Sequence, residues 1–233
     1  PPRSTLFPYT TLFRSVGAVM LAGASASAAP VAMELVLALD VSGSVSTTEW
    51  NLQRDGYVSA FLDPNLQNLI EAKGGIAVTL MQWSGATQQS QTIGWTLVSN
   101  SATAIAFANQ VAAMSRPYSG STAIGSAINF AVPLFNGNGY EGQRLVIDIS
   151  GDGERNDGAS VTTARDAAGA LGIYINGLTI LNEVATLQTY YNNNVITGTG
   201  SLTGPATEYS GLAPAILQKL TLEVDEGPAS VSG

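Results

Sequence analysis

Three separated segments of the chain carry oxygen-bearing side chains at spacings that suit a bound cation. In the sequence DVSGS, the carboxylate of Asp40 is followed by the hydroxyls of Ser42 and Ser44. A loop that turns at the glycine brings these three oxygens toward one point and forms half of a site for a hard divalent cation. Thr122, in the sequence GST, and Asp152, in the sequence SGDG, are candidates to complete that site.

Each of the two later segments also has an ordinary structural explanation. Ser121 or Thr122 would cap the helix that is predicted to follow them, and Asp152 would serve a turn, because Asp-Gly is a common turn pair. The order of the segments favours the cation site, since open α/β sheets bind ligands at the carboxyl ends of their strands.

The composition of the chain limits the chemistry that these oxygens can take part in. The 233 residues include no cysteine and no histidine, which excludes a zinc or iron–sulfur site, a thiol nucleophile and a Ser-His-Asp triad built from its own side chains. Nine basic against 17 acidic residues give a net charge of −8, so nucleic acid and anionic membranes are not expected partners. Aspartyl-phosphate hydrolases place a second aspartate two positions after the first, where this chain has Ser42, and we predict that the protein is not an enzyme.

Short apolar runs bounded by glycine and aspartate predict strands that are buried on both faces of a parallel sheet. These runs are residues 35–39, 76–81, 145–149 and 173–181. Residues 88–98 alternate between polar and apolar side chains and predict a strand at the sheet edge, antiparallel if a hairpin precedes it.

Helices are predicted between and after these strands, where apolar residues recur at helical spacing. They cover residues 46–62, 102–114, 122–135, 160–171, 184–191 and 212–222. The first opens with the capping-box spacing of Ser46 and Glu49, and Pro133 is expected to bend or shorten the third. The alternation of strands and helices predicts one α/β domain with a mostly parallel sheet that is flanked by helices.

We place this domain at residues 33–223 and expect the two ends of the chain to lie outside it. Residues 1–15 resemble the translation of a sequencing adapter, and residues 16–28 resemble the end of a signal peptide, with nine apolar residues before an A-x-A cleavage pattern. This apolar stretch is too short to span a membrane, so we expect a secreted or periplasmic protein. Residues 224–233 are expected to form a disordered tail.

The combined pattern of DVSGS after the first strand, a threonine in a later glycine turn and SGDG after a buried strand resembles the von Willebrand factor type A (VWA) domain. The resemblance includes its metal-ion-dependent adhesion site and is closest to secreted bacterial proteins grouped as a domain of unknown function. It implies a doubly wound sheet with the strand order 3-2-1-4-5-6, in which Asp40 and Asp152 face each other across the crevice where the order reverses. It also implies that one Mg²⁺, or Mn²⁺ or Ca²⁺, is surrounded by Asp40, Ser42, Ser44, Thr122 and Asp152.

The resemblance further implies a protein-binding module, in which an Asp or Glu of the partner protein supplies the last metal ligand. Two alternatives use the same oxygens: a Mg²⁺-dependent hydrolase, and a structural surface protein whose metal only braces the loops. The sequence gives no expectation for the roles of Arg155, Asn156 and Asp157, for residues 190–210, or for the oligomeric state.

Overall fold

The computed structural model describes residues 27–181, 186–199, 201, 203–206 and 211–226. Eight strands lie within this part of the chain. In order they are β1 (Ala29–Val31), β2 (Met33–Asp40), β3 (Ile76–Trp83), β4 (Gln89–Val98), β5 (Tyr140–Gly142), β6 (Leu145–Gly151), β7 (Ile173–Ile180) and β8 (Thr203–Ala206).

Seven α-helices are found among the same described residues. They are α1 (Thr47–Leu62), α2 (Pro64–Ala72), α3 (Ser101–Ala112), α4 (Ile124–Ala131), α5 (Val161–Ala170), α6 (Leu187–Asn194) and α7 (Leu212–Asp225). No helix within the described ranges combines the length and the apolar character needed to cross a bilayer.

Six of the strands form one sheet in the order β4-β3-β2-β6-β7-β8. β2 pairs in parallel with both β3 and β6, and β4 pairs antiparallel with β3 at the sheet edge. The predicted doubly wound, mostly parallel sheet with one antiparallel edge strand is therefore confirmed, and its strands follow the 3-2-1-4-5-6 order. β1 and β5 form a separate two-stranded sheet, which the sequence did not predict.

The apolar runs form strands because helices cover both faces of the sheet. Every residue of β2 and of β3 is buried, as expected for continuous apolar runs in a parallel sheet. α1, α2, α3 and α7 pack on one face, and α4, α5 and α6 pack on the other. Along β2, Leu35, Leu37 and Leu39 belong to the first layer of the core, whereas Val36 and Ala38 belong to the second.

The ends of the helices follow local signals in the sequence. Ser46 caps α1 by accepting a hydrogen bond from the Glu49 N–H at 3.2 Å, and the Glu49 carboxylate accepts one from the Ser46 N–H at 2.7 Å. The predicted capping box is therefore confirmed. α2, which was not predicted, is capped by Asp63 and is followed by Gly74 and Gly75 with φ of 90° and 93°, conformations that other residues rarely adopt.

The helix predicted at residues 122–135 is shorter in the structure. α4 ends at Ala131, and the chain continues as a 3-10 helix over Val132–Phe135. Pro133 explains the change, because proline has no N–H group and its ring crowds the preceding turn of an α-helix.

Strand β1 and helix α7 reach beyond residues 33 and 223, where we placed the limits of the domain. β1 begins at Ala29, before the predicted start at residue 33. α7 runs to Asp225 and Val224 is buried in the core, so the first two residues of the predicted tail belong to a helix. The predictions that lie wholly or partly outside the described residues are those for 1–15, 16–28, the start of 184–191 and the tail from 227 onward.

Candidate metal centre

The candidate site lies at the carboxyl ends of β2 and β6, where the strand order reverses. These strands are neighbours, and Leu39 of β2 pairs with Ser150 of β6. Three loops meet there: loop 1 (residues 41–46) follows β2, loop 2 (residues 113–123) precedes α4, and loop 3 (residues 152–160) follows β6. This is the ligand-binding edge of a doubly wound sheet.

The end of β2 together with loops 1 and 3 brings four of the five predicted ligands into one hydrogen-bonded group. Asp40 Oδ1 accepts a hydrogen bond from the Ser42 N–H at 2.7 Å, which turns the chain back toward the carboxylate. The hydroxyl oxygens of Ser42 and Ser44 lie 3.2 Å apart. Ser44 Oγ donates to Asp152 Oδ1 at 2.8 Å, so the two serines connect the two carboxylates.

Thr122, the fifth predicted ligand, lies in loop 2 beside this group. The Gly43 N–H donates to the Gly120 carbonyl at 2.7 Å and holds loop 2 against loop 1. A Cβ atom on Gly153 would lie 3.7 Å from Thr122 Oγ1, so the threonine hydroxyl borders the residue that follows Asp152. All three loops therefore contribute oxygen atoms to one region.

The alternative in which Ser121 or Thr122 caps a helix is wrong. The N-cap position of α4 is Ala123, and no side chain accepts a hydrogen bond from the first turn. Because the helix begins after Ala123, a hydroxyl at position 121 or 122 is too early to serve as its cap.

The charges at the site fit a bound cation. Asp40 is fully buried, and its Oδ2 atom has no hydrogen-bond partner. Burial, and after it the neighbouring carboxylate of Asp152, raise the pKa of Asp40 from 3.8 to about 7, although hydrogen bonds from Ser42 and from the Asp152 N–H oppose the change. A divalent cation would neutralise the negative charges of both carboxylates and would bind Asp40 Oδ2, the oxygen that has no partner.

The types of donor also limit the kind of metal. The structurally described residues contain no group of three or more His, Cys, Asp or Glu side chains that could hold a metal ion. A cation at the loops would therefore depend on two carboxylates together with hydroxyl oxygens, the donors that suit hard cations such as Mg²⁺, Mn²⁺ and Ca²⁺.

Ser84, a buried residue directly after β3, fixes loop 2 at three points. Its hydroxyl accepts a hydrogen bond from the Gly120 N–H at 2.7 Å and donates one to the Ser121 carbonyl at 3.1 Å. Its own carbonyl accepts a hydrogen bond from the Ala123 N–H at 2.9 Å. Loop 2 is thus attached to a core strand on both sides of Thr122.

Two further side chains hold the backbone of loop 1. Gln53 of α1 is fully buried and donates to the Asp40 carbonyl at 3.0 Å. The guanidinium group of Arg116 donates to the carbonyls of Val41 and Ser42 at 3.0 and 2.7 Å. The sequence pattern did not assign these roles, because both side chains act on backbone atoms and belong to no local motif.

Asn156 and Asp157, which had no assigned role, connect loop 3 to its neighbours. Asn156 Oδ1 accepts a hydrogen bond from the Thr122 N–H at 2.8 Å, and the Asn156 N–H donates to the Thr122 carbonyl at 3.0 Å. Asp157 accepts hydrogen bonds from the Ala86 N–H at 3.0 Å and the Gly158 N–H at 2.7 Å. These backbone bonds lower the pKa of the Asp157 carboxyl. Asn156 therefore binds both the N–H and the carbonyl group of Thr122.

Tyr191 of α6 reaches the site from the second layer of the core. It is fully buried, and its hydroxyl has no hydrogen-bond partner. Burial, followed by the carboxylates of Asp40 and Asp152, raises the pKa of Tyr191 well above its usual value, so this hydroxyl keeps its proton. The sequence pattern gave Tyr191 no role at the site, since only the packing of α6 on the sheet brings it there.

Comparisons with known proteins place the chain in a family and identify its fold. The model of a family described as "Protein of unknown function (DUF1194)" matches residues 30–228. A search of curated proteins gives no match.

Three similar solved structures illustrate the fold. Proximal thread matrix protein 1 (PTMP1) from the mussel byssus has a TM-score of 0.63 at 15% identity, over 85% of this chain and 49% of its own. The von Willebrand factor type A protein from Catenulispora acidiphila has a TM-score of 0.58 at 12% identity, over 82% of this chain and 42% of its own. The pilus adhesin SpaC from Lactobacillus rhamnosus GG has a TM-score of 0.58 at 12% identity, over 84% of this chain and 30% of its own.

At these identities the similarity is one of fold, and it confirms the VWA-like fold that the sequence resemblance implied. The chain spans about half the length of PTMP1 and less than half that of the other two proteins. A second PTMP1 structure, with a TM-score of 0.60 at 13% identity over 85% of this chain and 47% of that one, is described as having a zinc-occupied MIDAS motif.

Proposed function

The chain belongs to the DUF1194 family, and from its VWA-like fold and the geometry of its loops we propose that it is a metal-dependent protein-binding module. One divalent cation, Mg²⁺ with Mn²⁺ or Ca²⁺ as alternatives, is held by two carboxylates and three hydroxyls. The proposed ligands, acting directly or through water, are Asp40, Ser42, Ser44, Thr122 and Asp152. An Asp or Glu of the partner protein supplies the remaining ligand.

The observation that carries this proposal is the buried Asp40 Oδ2 without a partner, next to a second carboxylate. Two ionised carboxylates in a buried site repel each other, and a protein usually brings them together for a proton or a metal to share. The hydroxyls of Ser42 and Ser44 lie between the two carboxylates. They add neutral oxygen donors without adding charge, so a carboxylate of a partner remains attractive to the bound cation.

What is described for structurally similar proteins supports the same proposal. PTMP1 is described with zinc in its MIDAS motif, and SpaC is described as a pilus adhesin. The proposal also includes export: the signal-like residues 16–28 favour a secreted or periplasmic location for the domain.

Adding Mg²⁺ is expected to stabilise the wild-type protein against thermal unfolding, because a ligand that binds only the folded state raises its stability. At a concentration about 100 times Kd, the gain is about 2.7 kcal/mol. Asp40→Ala is expected to remove the response. Asp55→Ala serves as the matched control, since Asp55 is an exposed acidic residue of α1 paired with Arg54. An equal response of all three proteins to Mg²⁺ would exclude the proposed site.

Mn²⁺ then distinguishes an open site from a closed one. Mn²⁺ bound at an open site keeps exchangeable water and increases the relaxation rate of water protons, and acetate, as a probe for a partner carboxylate, is expected to reduce this effect. If bound Mn²⁺ does not increase the relaxation rate of water protons, the metal has no exchangeable water and only braces the loops. Turnover of a phosphate ester that is lost in Asp40→Ala would instead favour the hydrolase alternative.

Asn156→Ala is expected to weaken Mn²⁺ binding about tenfold, because residues that orient metal ligands typically change affinity by factors of about 10 to 100. The substitution removes the acceptor of the Thr122 N–H and leaves loop 2 less firmly attached to loop 3. Calorimetric titration with Mn²⁺ measures the change, with Asn109→Ala, an exposed position on α3, as the control. Unchanged affinity in Asn156→Ala would show that Thr122 does not depend on this contact.

A further inference from the structure

Two buried oxygen atoms beside the candidate metal centre have no hydrogen-bond partner: Asp40 Oδ2 and the hydroxyl of Tyr191. Both border the same point on the sheet. A Cβ atom on Gly151 would lie 3.1 Å from Asp40 Oδ2 and 2.5 Å from the Tyr191 oxygen. Buried polar groups without partners are costly and uncommon, so two of them around one point indicate a bound species that both contact.

Two glycines allow Tyr191 to reach this point. Gly151 of β6 leaves room for the hydroxyl, and Gly177 of β7 leaves room for the ring, since a Cβ atom there would lie 2.7 Å from Tyr191 Cδ1. Gly177 pairs with Ile149, which lies two residues before Gly151 and therefore on the same face of the sheet. The two missing side chains form a groove across β6 and β7, in which the phenol ring lies with its hydroxyl toward Asp40.

We propose that Tyr191 is a positioning residue of the metal centre, whose hydroxyl holds Asp40 Oδ2 through a shared water molecule. The other carboxylate oxygen, Oδ1, is already held by the Ser42 N–H, so the two contacts together fix the orientation of Asp40, and each oxygen keeps a second lone pair for the cation. This inference rests on the proposed function, because it requires Asp40 to be a ligand. It adds to the five proposed ligands a residue from α6, which no motif in the sequence indicates.

The hydroxyl donates and the carboxylate accepts in this arrangement, with the water accepting from Tyr191 and donating to Asp40. The water has the two or more polar partners that a buried water needs. Contacts of this kind set the orientation of a metal ligand and commonly change metal affinity by factors of about 10 to 100.

Tyr57 provides a matched control on the opposite face of the sheet. It is also fully buried with a hydroxyl that lacks a partner, but it belongs to the core layer with α1 and α7, and the carboxylates that raise its pKa are those of Asp148 and Glu223. Tyr57→Phe therefore removes the same group from an equally buried position in the other layer of the core.

The test is a calorimetric titration of the full chain with Mn²⁺ alone, for the wild type, Tyr191→Phe and Tyr57→Phe. We expect Tyr191→Phe to bind Mn²⁺ about tenfold or more weakly, and Tyr57→Phe to bind it as the wild type does. In chelator, the midpoint of thermal unfolding of Tyr191→Phe is expected to change by no more than that of Tyr57→Phe, because each substitution removes one buried tyrosine hydroxyl.

Wild-type affinity in Tyr191→Phe would overturn this inference while leaving the proposed function intact. Absence of Mn²⁺ binding by the wild type would overturn both. An unfolding midpoint of Tyr191→Phe in chelator far below that of Tyr57→Phe, together with weaker binding, would mark Tyr191 as a core residue only and would also overturn the inference. If Tyr191→Phe does not fold, the ultraviolet difference spectrum on adding Mg²⁺ decides, measured in a variant in which Tyr57, Tyr118 of loop 2 and Tyr190, which contacts loop 3, are replaced by Phe: a tyrosine perturbation supports the role, and its absence overturns it.

Discussion

Lys219→Met is expected to lower the free energy of unfolding by about 3 to 5 kcal/mol, the usual cost of leaving a buried charge without its partner. Lys219 of α7 is buried among two carboxylates: its ammonium group forms ion pairs with Asp148 of β6 and, at 2.6 Å, with Glu223. Asn176 donates a further hydrogen bond to Glu223 at 2.7 Å. Methionine keeps the volume of the aliphatic chain but leaves two acidic groups facing each other in the core.

Lys73→Met is the matched control for this experiment. Lys73 also pairs with a residue of α7, since it lies 3.0 Å from the carboxylate of Asp225, but both side chains are partly or largely exposed to solvent. Exposed pairs contribute roughly 0 to 1 kcal/mol, so chemical denaturation is expected to show little change. If Lys219→Met and Lys73→Met lower the free energy of unfolding by similar amounts, the burial of Lys219 with Asp148 and Glu223 is unimportant for stability.

In chelator, the stability of the protein is expected to fall as the pH rises from about 4 to about 7. Asp40 and Asp148 both have a pKa raised from 3.8 to about 7 in the folded state, mainly by burial. A raised pKa means that the folded protein holds these protons more tightly than the unfolded chain does. The stability is therefore greatest below the unfolded pKa and is lost as the pH passes through the folded pKa. The loss is on the order of 4 kcal/mol for each carboxyl.

Chemical denaturation at pH 5 and at pH 8 measures this difference. Asp40→Asn and Asp148→Asn are each expected to reduce it, because each removes one of the two titrating groups. Saturating Mg²⁺ is expected to cancel only the part that belongs to Asp40, since a cation at the loops compensates the ionised form of that carboxyl. A stability that rises steadily from pH 5 to pH 8 in chelator would contradict the raised pKa of both residues.

The fold could be predicted from the sequence because its signals are local. The apolar run of β2 is bounded by Met33 and Asp40 and is buried throughout, and the alternating residues of β4 mark an edge strand. The DVSGS sequence also showed where loop 1 lies, since it follows directly on a strand whose place in the sheet the fold fixes.

The residues that hold the site in place could not be predicted in the same way. Ser84, Asn156 and Tyr191 act through backbone atoms or through packing, and their partners are distant in the sequence. The buried pair of Lys219 with Asp148 is another example. A lysine on a terminal helix normally extends into solvent, and only the position of α7 over β6 and β7 shows that this one does not.

The attachment of loop 2 to Ser84 lowers the entropic cost of binding a ligand at the loops. Ser84 binds the loop through Gly120, Ser121 and Ala123, so the fold itself holds the loop in place. The conformational entropy of the segment around Thr122 is therefore already lost before any ion or partner arrives. A ligand meets a prearranged surface, and little of its intrinsic affinity is offset by having to order the chain.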